Sequence, residues 1–275
     1  MQVAGASNED FGPKALGLAQ LGQVGPLAAR RSLAAKLQVS LPAMSSLSPP
    51  SRTGLLREPL GALEIPRLLL KGASLASQPR GNGEPVVVLP GYGASDASTF
   101  VLRSYLGLLG YDVHGWGFGR NGGDVRELVP RVIDLVAKLE DEAEQPVSLV
   151  GWSLGGVIAR ETARERPALV ARVVTLGSPV VGGPKYTLVA DYYRRRGFDL
   201  DAIEAAAAER NRIPLQVPVT AIYSRNDGVV AWRACVDDSG GDVEHVEVAT
   251  THLGLGFAPE VFLIIAQRLA RSRNA

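Results

Sequence analysis

Cysteine is almost missing from the chain: Cys235 is the single example in 275 residues, beside three histidines. One thiol cannot form an intrachain disulfide, which fits a reducing compartment. So few soft ligands also exclude a Cys/His zinc cluster, and no His-Glu-x-x-His stretch occurs. An excess of one charge is lacking too. Lys+Arg 29 against Asp+Glu 28 gives a net charge of +1, which offers no footprint for nucleic acid or an acidic partner. No uncharged apolar run approaches the length of a membrane span. The stretch from Met1 to Glu9 and Asp10 has neither the basic nor the apolar region of a secretory signal. The expectation is a cytoplasmic protein with no transmembrane segment; oligomeric state is not legible.

What is present is a 46% hydrophobic share, enough for a sizeable core, in a chain long enough for one large domain plus an extension. Residues 1–54 are weakly patterned, with a short helix expected over 28–37 and a linker around Pro49-Pro50. We expect an extension there, and a domain over 55–275. From 55 to 75 apolar residues recur at helical spacing (Leu56, Leu60, Leu63, Leu68, Leu70, Leu75), broken by Pro59 and Pro66. This predicts short amphipathic helices packed on the domain through those leucines. Short apolar runs then alternate with helical patterns. Strands are expected at Val86–Leu89, Tyr111–Val113, Val147–Val150, Val170–Leu176, Val219–Tyr223 and His245–Val248. Helices are expected at 99–109, 125–142, after 153, and at 258–270. Such alternation implies a doubly wound, mainly parallel α/β sheet of about six strands. Residues 182–214 interrupt the rhythm with two helices, 186–196 and 200–212. They read as an insertion and a candidate lid, with Arg194-Arg195-Arg196 as a solvated face.

Gly151-Trp152-Ser153-Leu154-Gly155 stands between a strand and a helix. That context pushes a serine out of a tight turn, and glycines on either side let strand and helix pass closely. A serine hydroxyl needs a base within reach and a third group to orient that base. His252, in the loop after the final strand, is the candidate base, with His245 as the fallback. Where a serine stands on such a strand–turn–helix elbow, the chain order is serine, acid, histidine, so the acid is sought between Ser153 and His252, at a strand end. Asp227, directly after Val219–Tyr223, fits; Asp237 and Asp238 are weaker candidates. Two backbone amides are needed to receive an oxyanion. The amide of Leu154 opens the helix after the serine, and the amide of Tyr92 lies in the loop Pro90-Gly91-Tyr92 after the first central strand. Trp116 and Phe118, in a glycine-rich loop, are expected to wall an apolar cleft.

On these residues the chain resembles the α/β-hydrolase family, in particular its bacterial esterase and lipase members. The resemblance covers roughly residues 83–272. It rests on Pro90-Gly91-Tyr92, Gly151–Gly156, Gly177-Ser178-Pro179, Asp227-Gly228 and Thr251-His252. It implies an α/β-hydrolase fold and cleavage of a small carboxylic ester, with an apolar acyl or alcohol part, by a Ser153-His252-Asp227 triad without a cofactor. Thioesterase or amidase action on the same triad, or a non-catalytic binding protein of the same fold, are the alternatives. Gly117-Phe118-Gly119-Arg120-Asn121-Gly122 also matches a dinucleotide fingerprint. The acids about 20 residues on, Glu140 to Glu142, fall on a helix rather than a strand end, which disfavours that reading.

Overall fold

The computed structural model describes residues 47–236 and 241–271. The expected helix at 28–37 and the acid candidates Asp237 and Asp238 lie outside the described residues. The helices are α1 (Arg52–Leu55), α2 (Glu64–Leu70), α3 (Gly72–Ala76), α4 (Phe100–Leu108), α5 (Val125–Ala143), α6 (Leu154–Glu165), α7 (Ala190–Arg195), α8 (Leu200–Asn211) and α9 (Pro259–Leu269). The strands are β1 (Pro85–Leu89), β2 (Asp112–Gly115), β3 (Val147–Trp152), β4 (Val170–Leu176), β5 (Leu215–Tyr223) and β6 (Gly241–Glu247).

All six strands form one sheet in the order β2-β1-β3-β4-β5-β6, and every neighbouring pair runs parallel. Val87 pairs with Leu149, and Leu89 with Gly151. Successive strand residues point to opposite faces, so two layers form. Val86, Val88, Val150 and Leu176 pack with Leu102 and Leu106 of α4 and Phe262 and Ile265 of α9. Val87, Leu89, Leu149 and Val173 pack with Val129, Val132 and Val136 of α5 and Ile158 of α6. Both faces being covered explains why the central strands read as unbroken apolar runs. Each such side chain, fully buried, contributes on the order of 1.5–3 kcal/mol.

The caps are equally local. Asp124 accepts the amides of Arg126 and Glu127 at 3.1 and 3.2 Å, fixing the start of α5. The strand order turns back between β1 and β3. The chain leaving those two strands packs on opposite faces, α4 with Val88 and α6 with Leu89, and in open α/β sheets ligands bind at the carboxyl ends of the strands at such a point.

One expectation holds only in part in the stretch from 55 to 75. Short helices do form, but of the six leucines only Leu68 and Leu75 pack against the core. Leu56 and Leu70 are 79% and 86% exposed, Leu60 and Leu63 are exposed too, and Leu75 alone of the six is fully buried. The inward positions belong to Glu58 and Glu64, 3% and 6% exposed. The reason is chemical: the loops underneath present polar hydrogens that a carboxylate can receive and a leucine cannot. The prolines do not interrupt these helices either. Pro59 lies at the start of a 3₁₀ segment, Glu58–Leu63, and Pro66 in the first turn of α2, where no intrahelical N–H is lost.

Candidate active site

Between β3 and α6 there is one residue, Ser153, with φ 55° and ψ −120°. A side chain in such backbone costs on the order of 1–3 kcal/mol and persists only where the surroundings fix it. Here the Ser153 amide donates to the Leu176 carbonyl on β4 at 2.8 Å, and the Gly156 amide to the Ser153 carbonyl at 3.0 Å. The neighbouring glycines are steric requirements. A Cβ on Gly151 would stand 2.4 Å from backbone atoms of Gly155 and Gly156, and one on Gly155 2.3 Å from the Leu89 oxygen. On Gly156 it would stand 2.0 Å from Ser178 Oγ.

The loop after β1 lies directly against this turn. A Cβ on Gly91 would be 3.2 Å from the Cβ of Ser153. Asn121, buried, holds the loop: its Nδ2 donates to the Pro90 carbonyl at 2.9 Å. Its carbonyl receives the Gly93 amide at 2.9 Å, and its own amide donates to Ala94 at 2.8 Å. In the sequence Asn121 stands out only within the Gly117–Gly122 fingerprint match, which gives no sign of this role. The Tyr92 ring leans away toward the insertion, 5.4 Å from the ring of Tyr193 and 6.0 Å from that of Tyr192. Leu154 opens α6, so its N–H belongs to the first turn and has no intrahelical acceptor.

Asp227 and His252 meet. Asp227 Oδ2 lies 2.7 Å from His252 Nδ1, with the two side chains 1% and 7% exposed. Asp227 Oδ1 accepts the amides of Val229 and Val230 at 2.9 and 2.7 Å. One carboxylate oxygen is therefore held by backbone and the other turned to the imidazole. Gly177, the residue after the Leu176 that anchors Ser153, touches the pair: a Cβ there would be 3.0 Å from both Asp227 Oδ2 and His252 Nδ1. Trp152, preceding Ser153, has its ring 6.2 Å from that of His252. Burial pushes the imidazole toward a lower pKa. The charge and hydrogen bond of Asp227, with the charge of Glu58, outweigh burial and hold it above its ordinary value.

Two buried acids escaped the sequence reading. Glu58 Oε1 accepts the Gly228 amide at 2.7 Å and the His252 amide at 3.1 Å, and Oε2 accepts the Leu253 amide at 2.8 Å. Glu64 Oε1 accepts the Thr250 hydroxyl at 2.7 Å, and Arg67 bridges Glu64 to Glu260 on α9. The sequence signal was available only as two acids spaced among leucines, and helical periodicity assigns such acids to solvent.

The remaining candidates fall elsewhere. Trp116 is 1% exposed, packs in the layer with Val87 and Leu89, and donates its indole N–H to Gly119 at 2.9 Å. A ring so enclosed offers no surface to a ligand, so the expected cleft wall is not found at Trp116. Phe118 is partly buried in the same layer, under the Arg131 guanidinium at 4.4 Å. His245 lies within β6 opposite Ala221, and Asp227 bonds His252. Arg194, Arg195 and Arg196 are exposed, Arg194 pairing with Asp191 at 2.9 Å. Among the described residues no group of three or more His, Cys, Asp or Glu side chains is placed to hold a metal ion, and no helix is long and apolar enough to cross a membrane.

A family model described as the alpha/beta hydrolase family matches residues 86–271, from within β1 to just past the end of α9. The chain belongs to the alpha/beta hydrolase family. A pimeloyl-(acyl-carrier protein) methyl ester esterase from Vibrio campbellii is 32% identical over 102 residues, 36% of this chain and 38% of that enzyme. Naproxen esterase from Bacillus subtilis superposes with a TM-score of 0.52 at 12% identity, over 77% of this chain and 98% of that one. Lipase B from Aspergillus fumigatus gives 0.52 at 17% identity, over 70% of this chain and 54% of the lipase. The chain thus matches little more than a third of the curated relative and about half of the lipase. The two superpositions speak for the fold.

Proposed function

We propose that the protein is a serine hydrolase that cleaves small carboxylic esters in two steps through an acyl-enzyme. The observation that supports it most is the buried 2.7 Å contact between Asp227 and His252, which lies against Gly177, the residue after the Leu176 whose carbonyl receives the amide of a serine held at φ 55°. Ser153 Oγ attacks the ester carbonyl carbon as His252 takes its proton through Nε2. Asp227 keeps the Nδ1 proton in place and stabilises the imidazolium. The amides of Leu154 and Tyr92 receive the oxyanion, a contribution of about 2.7–4 kcal/mol per donor in enzymes of this chemistry. His252 then protonates the leaving alcohol, and the acyl-enzyme is opened by a water that gives its proton to His252.

The substrate carries an apolar acyl or alcohol part, and residues 182–214 shape its entry as a lid. In support, Tyr92 packs with Ala190, Tyr193 and Leu200 of this insertion. The esterase relative, named for a methyl ester on an acyl-carrier protein, is consistent with ester over amide chemistry. Rates on p-nitrophenyl esters from C2 to C16, alongside an acyl-CoA, test the reading. Hydrolysis of the esters that disappears in Ser153→Ala supports it; near-full activity in that variant overturns it.

A further inference from the structure

We infer that Glu58 is a positioning residue for the catalytic histidine: it clamps the acid loop to the histidine loop and presents a second anion to His252. The inference rests on the serine-hydrolase reading for its mechanism, and on four observations for its geometry.

Glu58 lies about 170 to 195 positions from its partners in sequence, yet three amides from two loops converge on it. Gly228 follows Asp227, and His252 and Leu253 are the histidine itself and its successor. Every one of these bonds has the carboxylate as acceptor. The segment carrying Glu58 is drawn in on both sides. A Cβ on Gly228 would stand 2.4 Å from the Gly54 oxygen, and one on Gly61 2.6 Å from the Gly254 nitrogen. Backbone meets backbone there, at the acid loop before Glu58 and at the histidine loop after it. The Thr251 hydroxyl adds a contact to the Glu58 carbonyl at 3.5 Å. The span 54–61 is therefore a strap over both catalytic loops.

As an anchor the carboxylate is well matched, since the three groups that meet it are all N–H donors. Its charge also lies near the buried Asp227, where a second anion is costly on its own. It becomes useful when the imidazole between the two loops gains a proton. The charged groups facing His252 are Asp227 from the loop after β5 and Glu58 from the strap. Glu64, two residues along the loop at Thr250, is offset by Arg67. As Ser153 surrenders its proton, both facing anions stabilise the imidazolium, while the three amide bonds keep its ring on Asp227.

The test compares Glu58→Gln, which keeps the volume, removes the charge and leaves one oxygen to accept, with Glu58→Asp, which keeps the charge one methylene short. Three readouts are taken: the imidazole titration of His252 by NMR, the pH profile of ester hydrolysis, and amide hydrogen exchange in the wild-type protein. Expected are a His252 pKa lowered by about half a unit to one unit in Glu58→Gln and partly restored in Glu58→Asp. The acidic limb of the profile follows, with kcat falling more than KM rises. In the wild type the amides of Gly228, His252 and Leu253 exchange slowly. An unchanged His252 titration in Glu58→Gln, or rapid exchange at His252 and Leu253 in the wild type, overturns the inference. The exchange result holds even if the variants do not fold. Failure of a fluorophosphonate to label Ser153 would instead overturn the hydrolase reading, leaving titration and exchange to judge Glu58.

Discussion

The carboxylate of Asp227 divides its oxygens between two tasks: Oδ2 meets His252 Nδ1 at 2.7 Å, and Oδ1 receives the amides of Val229 and Val230. The backbone contacts fix the orientation of the carboxylate, so the imidazole meets an oxygen already aimed at it. Replacing that oxygen by an amide reverses the preference at Nδ1. We predict that Asp227→Asn folds and loses roughly 10⁴-fold in kcat, the scale seen when asparagine takes the acid position in a Ser-His-Asp enzyme. Steady-state hydrolysis of a p-nitrophenyl ester measures it, and a loss under about tenfold would remove Asp227 from the mechanism.

The pH dependence follows from the same pair. In the proposed mechanism His252 is neutral when it accepts a proton, and its pKa is held above the ordinary value against the effect of burial. The acidic limb of kcat/KM in the free enzyme should therefore have its midpoint above about pH 6.5. For stability the sign is that of a group raised by folding. The imidazolium's contribution is present below the unfolded pKa and fades as pH rises through the folded one. A limb centred below pH 6 would contradict the assignment of His252 as base.

Gly155 meets the Leu89 carbonyl so closely that a methyl group has no room. Both partners are backbone in the two central elements, and neither can rotate aside. Gly155→Ala is expected to cost about 3 kcal/mol, or roughly 6–12 °C in Tm. A calorimetric Tm within about 2 °C of the wild type would show that the strand and helix are not packed as described.

Glu161 on α6 receives Arg164 of its own helix and Arg210 of α8, and Arg210 also reaches Glu165 at 3.0 Å. The second half of the insertion is thus tied to the helix that follows Ser153. Removing one member of a buried pair costs about 3–5 kcal/mol. Since Arg210 is partly exposed, we expect Glu161→Gln to fall at the lower end. Hydrogen exchange should quicken over 200–211 more than over α9. Uniform exchange across both helices would contradict this anchoring.

The fold was legible wherever burial on both faces left unbroken apolar runs. Val170–Leu176 is read from sequence with the bounds it has in the structure, α5 differs by one residue at its end, and α9 by one at each end. The misses have local causes. β5 starts at Leu215 rather than Val219 because Gln216 and Pro218 break its run, and the register shifts between Leu215 and Val219. β6 is an edge strand whose polar residues, Asp242, Glu244 and His245, hide its beginning at Gly241. A helix expected from 186 begins at Ala190, since Thr187 bridges to Val230, a pairing that no local pattern announces.

For the candidate site, chain order and strand ends pick out Ser153, Asp227, His252 and the loop at Gly91, and the structure brings Asp227 to His252 and Gly91 beside Ser153. Sequence could not place Glu58 or Asn121. Their partners are backbone amides and carbonyls of distant loops, and a backbone group leaves no mark in a pattern of side chains. Trp116 was misjudged for the opposite reason: aromatic rings beside glycines look the same whether they face a cleft or a core.

The central claim is that Ser153 is a nucleophile activated by His252. Its most direct measurement is reaction with a fluorophosphonate, with the adduct located by peptide mass mapping. The account predicts a single adduct on Ser153 in the native protein, abolished in Ser153→Ala and slowed at least a hundredfold in His252→Ala, on the order of the lower bound for general-base assistance. A native protein that stays unlabelled, or labelling at Ser153 that proceeds as fast without His252, would contradict it.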